Sequence, residues 1–155
     1  MIIPDVNLLV YATMTGTPHH RPAIVWWQDA LNGREPVGLA PVVVMGFVRI
    51  STNARIFDGA LPTETAIDYV QQWAARPVVS VLTQSEDTTR RALDLLATSG
   101  AAGNLTTDAV IAAHALAERG TVYSNDSDFG RFPDVSWTNP LRDQSTARAL
   151  SVSPR

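Results

Sequence analysis

Short apolar segments alternate along this chain with longer stretches of helical spacing, and that alternation limits the fold to a sheet built by crossovers. Candidate strands are Ile2–Pro4, 37–40, 78–82, Thr121–Tyr123 and 135–137. Between them lie helical stretches predicted over Val6–Thr13, 17–31, 42–52, 62–75, 85–96 and 105–119. Their ends carry recognisable punctuation. Thr17-Pro18 opens the second helix and Asn32-Gly33 stops it; Pro41 suits a first helical position; Ser85-Glu86-Asp87 starts one helix and Ser99-Gly100 ends it. Asn104 is expected to cap the last long helix and Gly120 to terminate it. Strands joined through helices pair in parallel, so the expected class is α/β, with a mainly parallel central sheet flanked by helices on both faces. In such sheets ligands gather beyond the carboxyl ends of the strands.

A chain of 155 residues suits one domain with a sizeable core, assigned to residues 1–140, with 141–155 as a flexible C-terminal tail. The absence of cysteine excludes disulfides and thiolate metal sites. No apolar run is long enough to span a membrane, and the first residues lack the pattern of a secretory signal, so the expected location is cytoplasmic. A net charge of -3 argues against a constitutive nucleic-acid binder, though an enzyme can meet nucleic acid through one local patch. All 12 basic side chains are arginine. Lysine nucleophiles and phosphate-binding lysines are therefore excluded, and any cationic phosphate contact falls to Arg.

Carboxylates mark the functional edge. Asp5 directly follows the first strand, two residues before Asn7, where a charge is costly unless something compensates it. Asp108 lies early in the sixth helix on the face shared by Leu105, Ile111 and Ala112, and Ala109, Ala112, Ala113 and Ala115 would let that helix approach the sheet closely. Asp126 and Asp128 sit in the turn leaving the fourth strand. Taken singly, Asp5 could be a helix cap, Asp108 a dipole-stabilising acid, and Asp126 and Asp128 turn formers. Taken together they fall on one sheet edge. Several carboxylates gathered there call for a hard divalent cation, Mg²⁺ or Mn²⁺, and such a site supports hydrolysis of a phosphodiester.

Three segments carry a family resemblance: Ile3-Pro4-Asp5-Val6-Asn7-Leu8-Leu9, Asn104-Leu105-Thr106-Thr107-Asp108-Ala109 and Ser124-Asn125-Asp126-Ser127-Asp128-Phe129. In these the chain resembles a PIN-domain ribonuclease of the VapC toxin type, from Met1 to about Pro140. The resemblance implies a PIN-like fold and a Mg²⁺-dependent endoribonuclease acting on structured RNA such as tRNA or rRNA. It implies also inhibition by a cognate VapB-type antitoxin and a homodimeric state. Asp5, Asp108 and Asp126 match the family's metal-binding acids, with Asp128 supporting; Asn7 and Asn125 match polar positions beside the first and third acids. The departure lies in Val44-Met45-Gly46-Phe47-Val48-Arg49, where Gly46 stands in place of an acid three residues before Arg49. A glycine within a helix is unfavourable by roughly 1 kcal/mol relative to Ala, so either close helix packing or space for water or RNA is expected to use the vacancy.

Arg49, the one charge on its helix, is expected to pair with the acids or to contact phosphate, the ion pair being favoured. Arg21, Arg55, Arg90 and Arg91 are candidate RNA contacts or solvated surface; His19 and His20 are expected as exposed caps, His114 as a packed polar residue, and Trp26, Trp27 and Trp73 as core or dimer interface. Two other functions compete: a PIN-like scaffold that binds RNA or antitoxin without turnover, and a phosphatase of the haloacid-dehalogenase type. The second wants an Asp where Asn7 stands and a Lys that this chain lacks.

Overall fold

The computed structural model describes residues 1–100 and 103–142. Five strands, β1 (Ile2–Pro4), β2 (Val37–Leu39), β3 (Val79–Val81), β4 (Thr121–Tyr123) and β5 (Trp137–Thr138), form one sheet in the order β3-β2-β1-β4-β5. Every pairing is parallel. Helices α1 (Val6–Thr13), α2 (His20–Asn32), α3 (Pro41–Ser51), α4 (Thr63–Ala74), α5 (Glu86–Ser99) and α6 (Thr106–Ala117) make the crossovers and cover both faces. The expected class is the observed one. Among the described residues no helix is long and apolar enough to cross a membrane.

β1 is central, and all three of its residues are buried, as a strand covered on both faces requires. Its register with β4 runs Ile2↔Thr121, Ile3↔Val122 and Pro4↔Tyr123, and the ladder continues past the strand through Asp5 N–H donating to the Tyr123 carbonyl at 2.9 Å. On the other side the register with β2 is Ile2↔Val37. Alternation along the strand aims the amide position of residue 4 at β2, where Pro4 has no N–H to donate. The sheet therefore stays joined to the exit of β1 on the β4 side and loosens on the β2 side.

The packing follows the apolar pattern. Phe47, Leu8, Leu9, Leu39, Ile111 and Phe129 are fully buried. Ala109, Ala112, Ala113 and Ala115 of α6 are buried as well, and α6 rests against β1, β4 and α3. Trp26, Trp27 and Trp73 belong to this core: Trp27 meets Trp73 edge-on at 5.5 Å, Phe47 lies 4.8 Å from Trp73, and Trp26 stacks on Tyr123 at 5.6 Å. His114 is buried, with Nε2 2.9 Å from the Gln84 side-chain oxygen, and burial pushes its pKa down. It is the packed polar residue that its Ala-rich helix suggested.

Several element ends differ from expectation. The Thr17-Pro18 segment forms a turn, and α2 begins at His20, which places Pro22 in the first helical turn, where its missing N–H is of no consequence. His19 caps α2 without a side-chain bond; its ring packs 5.1 Å from Tyr11, while Nδ1 of His20 meets the Tyr11 carbonyl at 2.9 Å, so neither is an exposed cap. Asn104 lies in a 3₁₀ turn, Gly103–Leu105, and the cap position of α6 falls to Leu105 with no side-chain bond. α6 is ended by Arg119, whose φ of 51° is left-handed, rather than by Gly120. Gly120 is needed for another reason: a Cβ there would stand 2.8 Å from the Met1 carbonyl oxygen, which accepts from Thr121 N at 2.9 Å. β3 is shorter than the segment 78–82, and β5 begins two residues later than 135–137, at Trp137, and ends at Thr138. By contrast Ser85 accepts from Thr88 N as an N-cap of α5, and Gly100 ends that helix at φ 65°, both as the sequence indicates. Leu141 is buried against the core, and residues 143–155 of the expected tail lie outside the described residues.

Candidate active site

The Pro4↔Tyr123 register decides which side chains meet, because the next residue on each strand, Asp5 and Ser124, must leave the sheet side by side. Asp5 is 4% exposed, and both of its oxygens are engaged. Oδ1 accepts from Val6 N at 2.6 Å, so Asp5 is the N-cap of α1; Oδ2 accepts from Asn7 Nδ2 at 2.7 Å and from Ser124 Oγ at 2.7 Å. The cap role and the site role are therefore one geometry. Burial raises the Asp5 pKa above the usual carboxylate range, while the donors from Ser124 and Val6 oppose the shift.

Ser124 is the hub that sequence reasoning passed over. Its hydroxyl donates to Asp5 and accepts from Asn7 Nδ2 at 3.0 Å and from Asp126 N at 2.9 Å, using its one hydrogen and both lone pairs. Asn7 also accepts from Asn125 N at 3.4 Å, and Asn139 Nδ2 donates to the Asn125 side-chain oxygen at 2.9 Å. Asn139 was not anticipated either. The only signal for these two was position: a small hydroxyl at the exit of β4, and an amide at the exit of its neighbour β5.

Asp126 is exposed, and its Oδ1 caps the following 3₁₀ turn by accepting from Asp128 N at 2.9 Å. Asp128 lies 3.9 Å from Arg131, a loose surface pair. Asp108, in the first turn of α6, is half-buried, and its pKa is raised to about 7. Loss of water on burial is the main cause, followed by repulsion from Asp5, Asp126 and Asp128. Four acids from three parts of the chain thus lie close enough at the strand ends for the other three to repel Asp108.

Arg49 does not answer that charge. It is exposed on α3 and has no ion pair among the described residues, so the favoured expectation of a structural pair is corrected. Arg90 and Arg91 are held by Glu86 and Asp87 one turn away, which leaves them as surface ion pairs.

The donor set is oxygen-only and strongly self-repelling, which suits a hard cation. Among the described residues no group of three or more His, Cys, Asp or Glu side chains is arranged to cage an ion as it stands. Oxygen donors of this kind suit a divalent cation that keeps part of its water shell rather than one held in an all-protein cage.

Comparison with known proteins gives a consistent result. The PIN domain family matches residues 2–135. Ribonuclease VapC33 of Mycobacterium tuberculosis is 47% identical over 143 residues, covering 92% of this chain and 100% of that protein. Ribonuclease VapC37 of the same species is 40% identical, covering 90% and 97%. Among solved structures, the Mycobacterium tuberculosis toxin VapC20, described as cleaving the sarcin-ricin loop, superposes with a TM-score of 0.67 at 18% identity over 88% of this chain and 99% of that one. The VapBC2 complex of Rickettsia felis bound to a promoter DNA fragment gives a TM-score of 0.62 at 22% identity, covering 90% and 98%. At those identities the superpositions establish the fold alone.

Proposed function

The chain belongs to the PIN domain family, among the VapC ribonucleases, and on that premise we propose that it is a divalent-metal-dependent endoribonuclease toxin that cuts structured RNA, tRNA or rRNA. The observation that supports the reading is that Asp5 leaves β1 beside Ser124 at the end of β4, and that Asp5, Asp126 and Asp128 all repel Asp108. Asp5, Asp108 and Asp126 are the proposed metal-holding and catalytic acids, with Asp128 supporting. Mg²⁺ is the proposed cation and Mn²⁺ its substitute. The chemistry such a cation supplies is polarisation of a phosphoryl oxygen and neutralisation of charge on the leaving oxygen.

The chain's own groups do the positioning. Asn7 and Ser124 hold the Asp5 carboxylate in one orientation, so little reorganisation accompanies binding. Asp126 is kept in register with Asp5 through the shared Ser124 hydroxyl. Asp108, whose pKa is raised to about 7 by burial and by the neighbouring acids, would hold a cation in its ionised form. Asn125, tied to Asn7 and Asn139, braces the turn that presents Asp126.

The proposed partners are a VapB-type antitoxin and a second copy of the chain. Apolar side chains left exposed on α5 and β3, Leu93 and Val81, are consistent with such assembly, and light scattering of the free chain and of the complex tests it. The proposed location is the cytoplasm, where a toxin of this kind meets its RNA.

The test is cleavage of tRNA and rRNA with Mg²⁺ or Mn²⁺ by the wild type and by Asp5→Asn and Asp108→Asn. Both variants are expected to lose cleavage while keeping the native circular dichroism spectrum. Cleavage that survives both substitutions and EDTA would overturn the proposal. A second reading, a scaffold that binds RNA or antitoxin without turnover, draws on Gly46 standing where most of the family has an acid. An inactive wild type restored by Gly46→Glu would favour it.

A further inference from the structure

Beside the acid pocket lies an open groove of about 420 Å³, walled by Val6, Val42, Met45, Gly46, Arg49 and Thr107. Two of its walls adjoin the candidate acids in sequence: Val6 follows Asp5, and Thr107 precedes Asp108. The groove is therefore lined by the immediate chain neighbours of two candidate acids. Its size falls within the range of pockets that accept a small ligand unit.

The groove joins three features that the fold itself does not use. Met45 is 66% exposed although it is a large apolar side chain. Arg49, one helical turn on, is a cation with no ion pair among the described residues. Gly46 contributes no side chain: a Cβ there would meet only Val6, with Cγ2 at 3.3 Å, so any larger residue both presses on the neighbour of Asp5 and fills the groove. An apolar wall, an empty floor and one unpaired guanidinium beside an acidic centre match a single nucleotide, with the base or ribose on the wall and the phosphate on the cation. Arg49 also offsets the repulsion that a polyanion would meet on approaching four carboxylates. The larger cavity between α2 and α4 lacks this complementarity, because its Arg76 is already hydrogen-bonded to Leu31 and Asn32.

We propose that the Met45–Gly46–Arg49 groove is the subsite that seats the nucleotide adjoining the cleaved phosphodiester, with Arg49 binding its phosphate and Gly46 setting how large a base it admits. This rests on the nuclease reading above and extends it to substrate selection.

The experiment uses the full chain, with total tRNA and rRNA for cleavage and a fluorescent single-stranded RNA oligomer for binding. Cleavage kinetics are measured for wild type, Arg49→Gln, Arg49→Lys and Met45→Glu, and RNA binding is followed by anisotropy across a salt series, each substitution being placed on an Asp108→Asn background that prevents turnover. Arg49→Gln is expected to raise KM on the order of fivefold to tenfold with a smaller change in kcat, and to lower the slope of log affinity against log salt by about 0.7, the value of one phosphate contact on a single strand. Arg49→Lys is expected to restore the slope, because it keeps the charge. Met45→Glu is expected to weaken RNA binding at least as much as Arg49→Gln. Both residues are exposed, so their substitution leaves the core intact. A KM and salt slope untouched by Arg49→Gln and Met45→Glu, in a wild type that cleaves RNA, overturns the subsite alone. A wild type that cleaves no RNA overturns the nuclease reading instead. If Met45→Glu leaves RNA binding intact but changes the molecular mass in light scattering, the groove is a protein interface and the subsite is again overturned.

Discussion

Asp5 and Arg49 flank the same strand exit under opposite conditions. Asp5 is buried, and three donors hold its two oxygens. Arg49 is exposed and has no ion pair among the described residues. A buried carboxylate must be fully hydrogen-bonded to be tolerated at all, and those bonds fix where it points. An exposed guanidinium is solvated at little expense and keeps its donors free for a ligand. The comparison teaches that one flank of the site is positioned by the fold while the other is left for the substrate to complete.

Breaking the locked flank should have the largest effect. Asp5→Ala removes the cap of α1 and strands the buried Ser124 and Asn7 donors, so a stability loss of about 2 kcal/mol or more is expected in urea unfolding, together with a fall in RNA cleavage of roughly a hundredfold to a thousandfold. A fully stable, active Asp5→Ala chain would dissolve the contrast. Ser124→Ala is the next step down. It leaves Asp5 in place but removes the hydroxyl that three groups share, and a tenfold to hundredfold loss of kcat is expected, roughly the scale of outer-shell effects at metal sites.

Asp108 sharpens the contrast through pH. Its folded pKa, about 7, lies above the 3.8 of a solvated aspartate, so the folded state binds the proton more tightly than the unfolded chain. The associated stability is complete below about pH 4 and is lost as pH rises through 7. Melting temperatures of wild type and Asp108→Asn should therefore diverge between those limits, with the variant the more stable at pH 8. Adding Mg²⁺ should narrow the gap, because a cation relieves the same repulsion. Cleavage by the wild type should fall as pH drops below 7.

The smallest structural effect is expected at the open flank. Arg49→Gln should shift unfolding by less than about 0.5 kcal/mol, as exposed substitutions commonly do, even where RNA binding responds. A larger loss of stability would mean that Arg49 is structural after all.

Much of the fold could be read from the chain because strand and helix periods are local. Ile2–Pro4, Thr121–Tyr123 and the Ser85 and Gly100 boundaries follow from neighbouring residues alone. Asp5 and Asp108 were identifiable because an acid beside apolar neighbours is costly unless it has a purpose. Ser124 and Asn139 were not, since serine and asparagine at strand exits are ordinary turn residues, and only their partners distinguish them. The terminator of α6 was misassigned for a related reason. Gly120 looks like a helix stop, yet its lack of a side chain serves the approach of the Met1 carbonyl, a contact made by residues at the far end of the chain.

By itself the sequence carried the parallel α/β architecture in its spacing and the family resemblance in three short motifs, and it named four candidate acids. Only the tertiary structure decided that Ser124 joins Asp5 to Asp126, that Arg49 forms no ion pair with the acids, and that the pKa of Asp108 is raised to about 7. The physical reason is strand register. Pairing Pro4 with Tyr123 brings residues more than a hundred positions apart within hydrogen-bond distance, and both the burial and the repulsion that tune the acids arise from that approach.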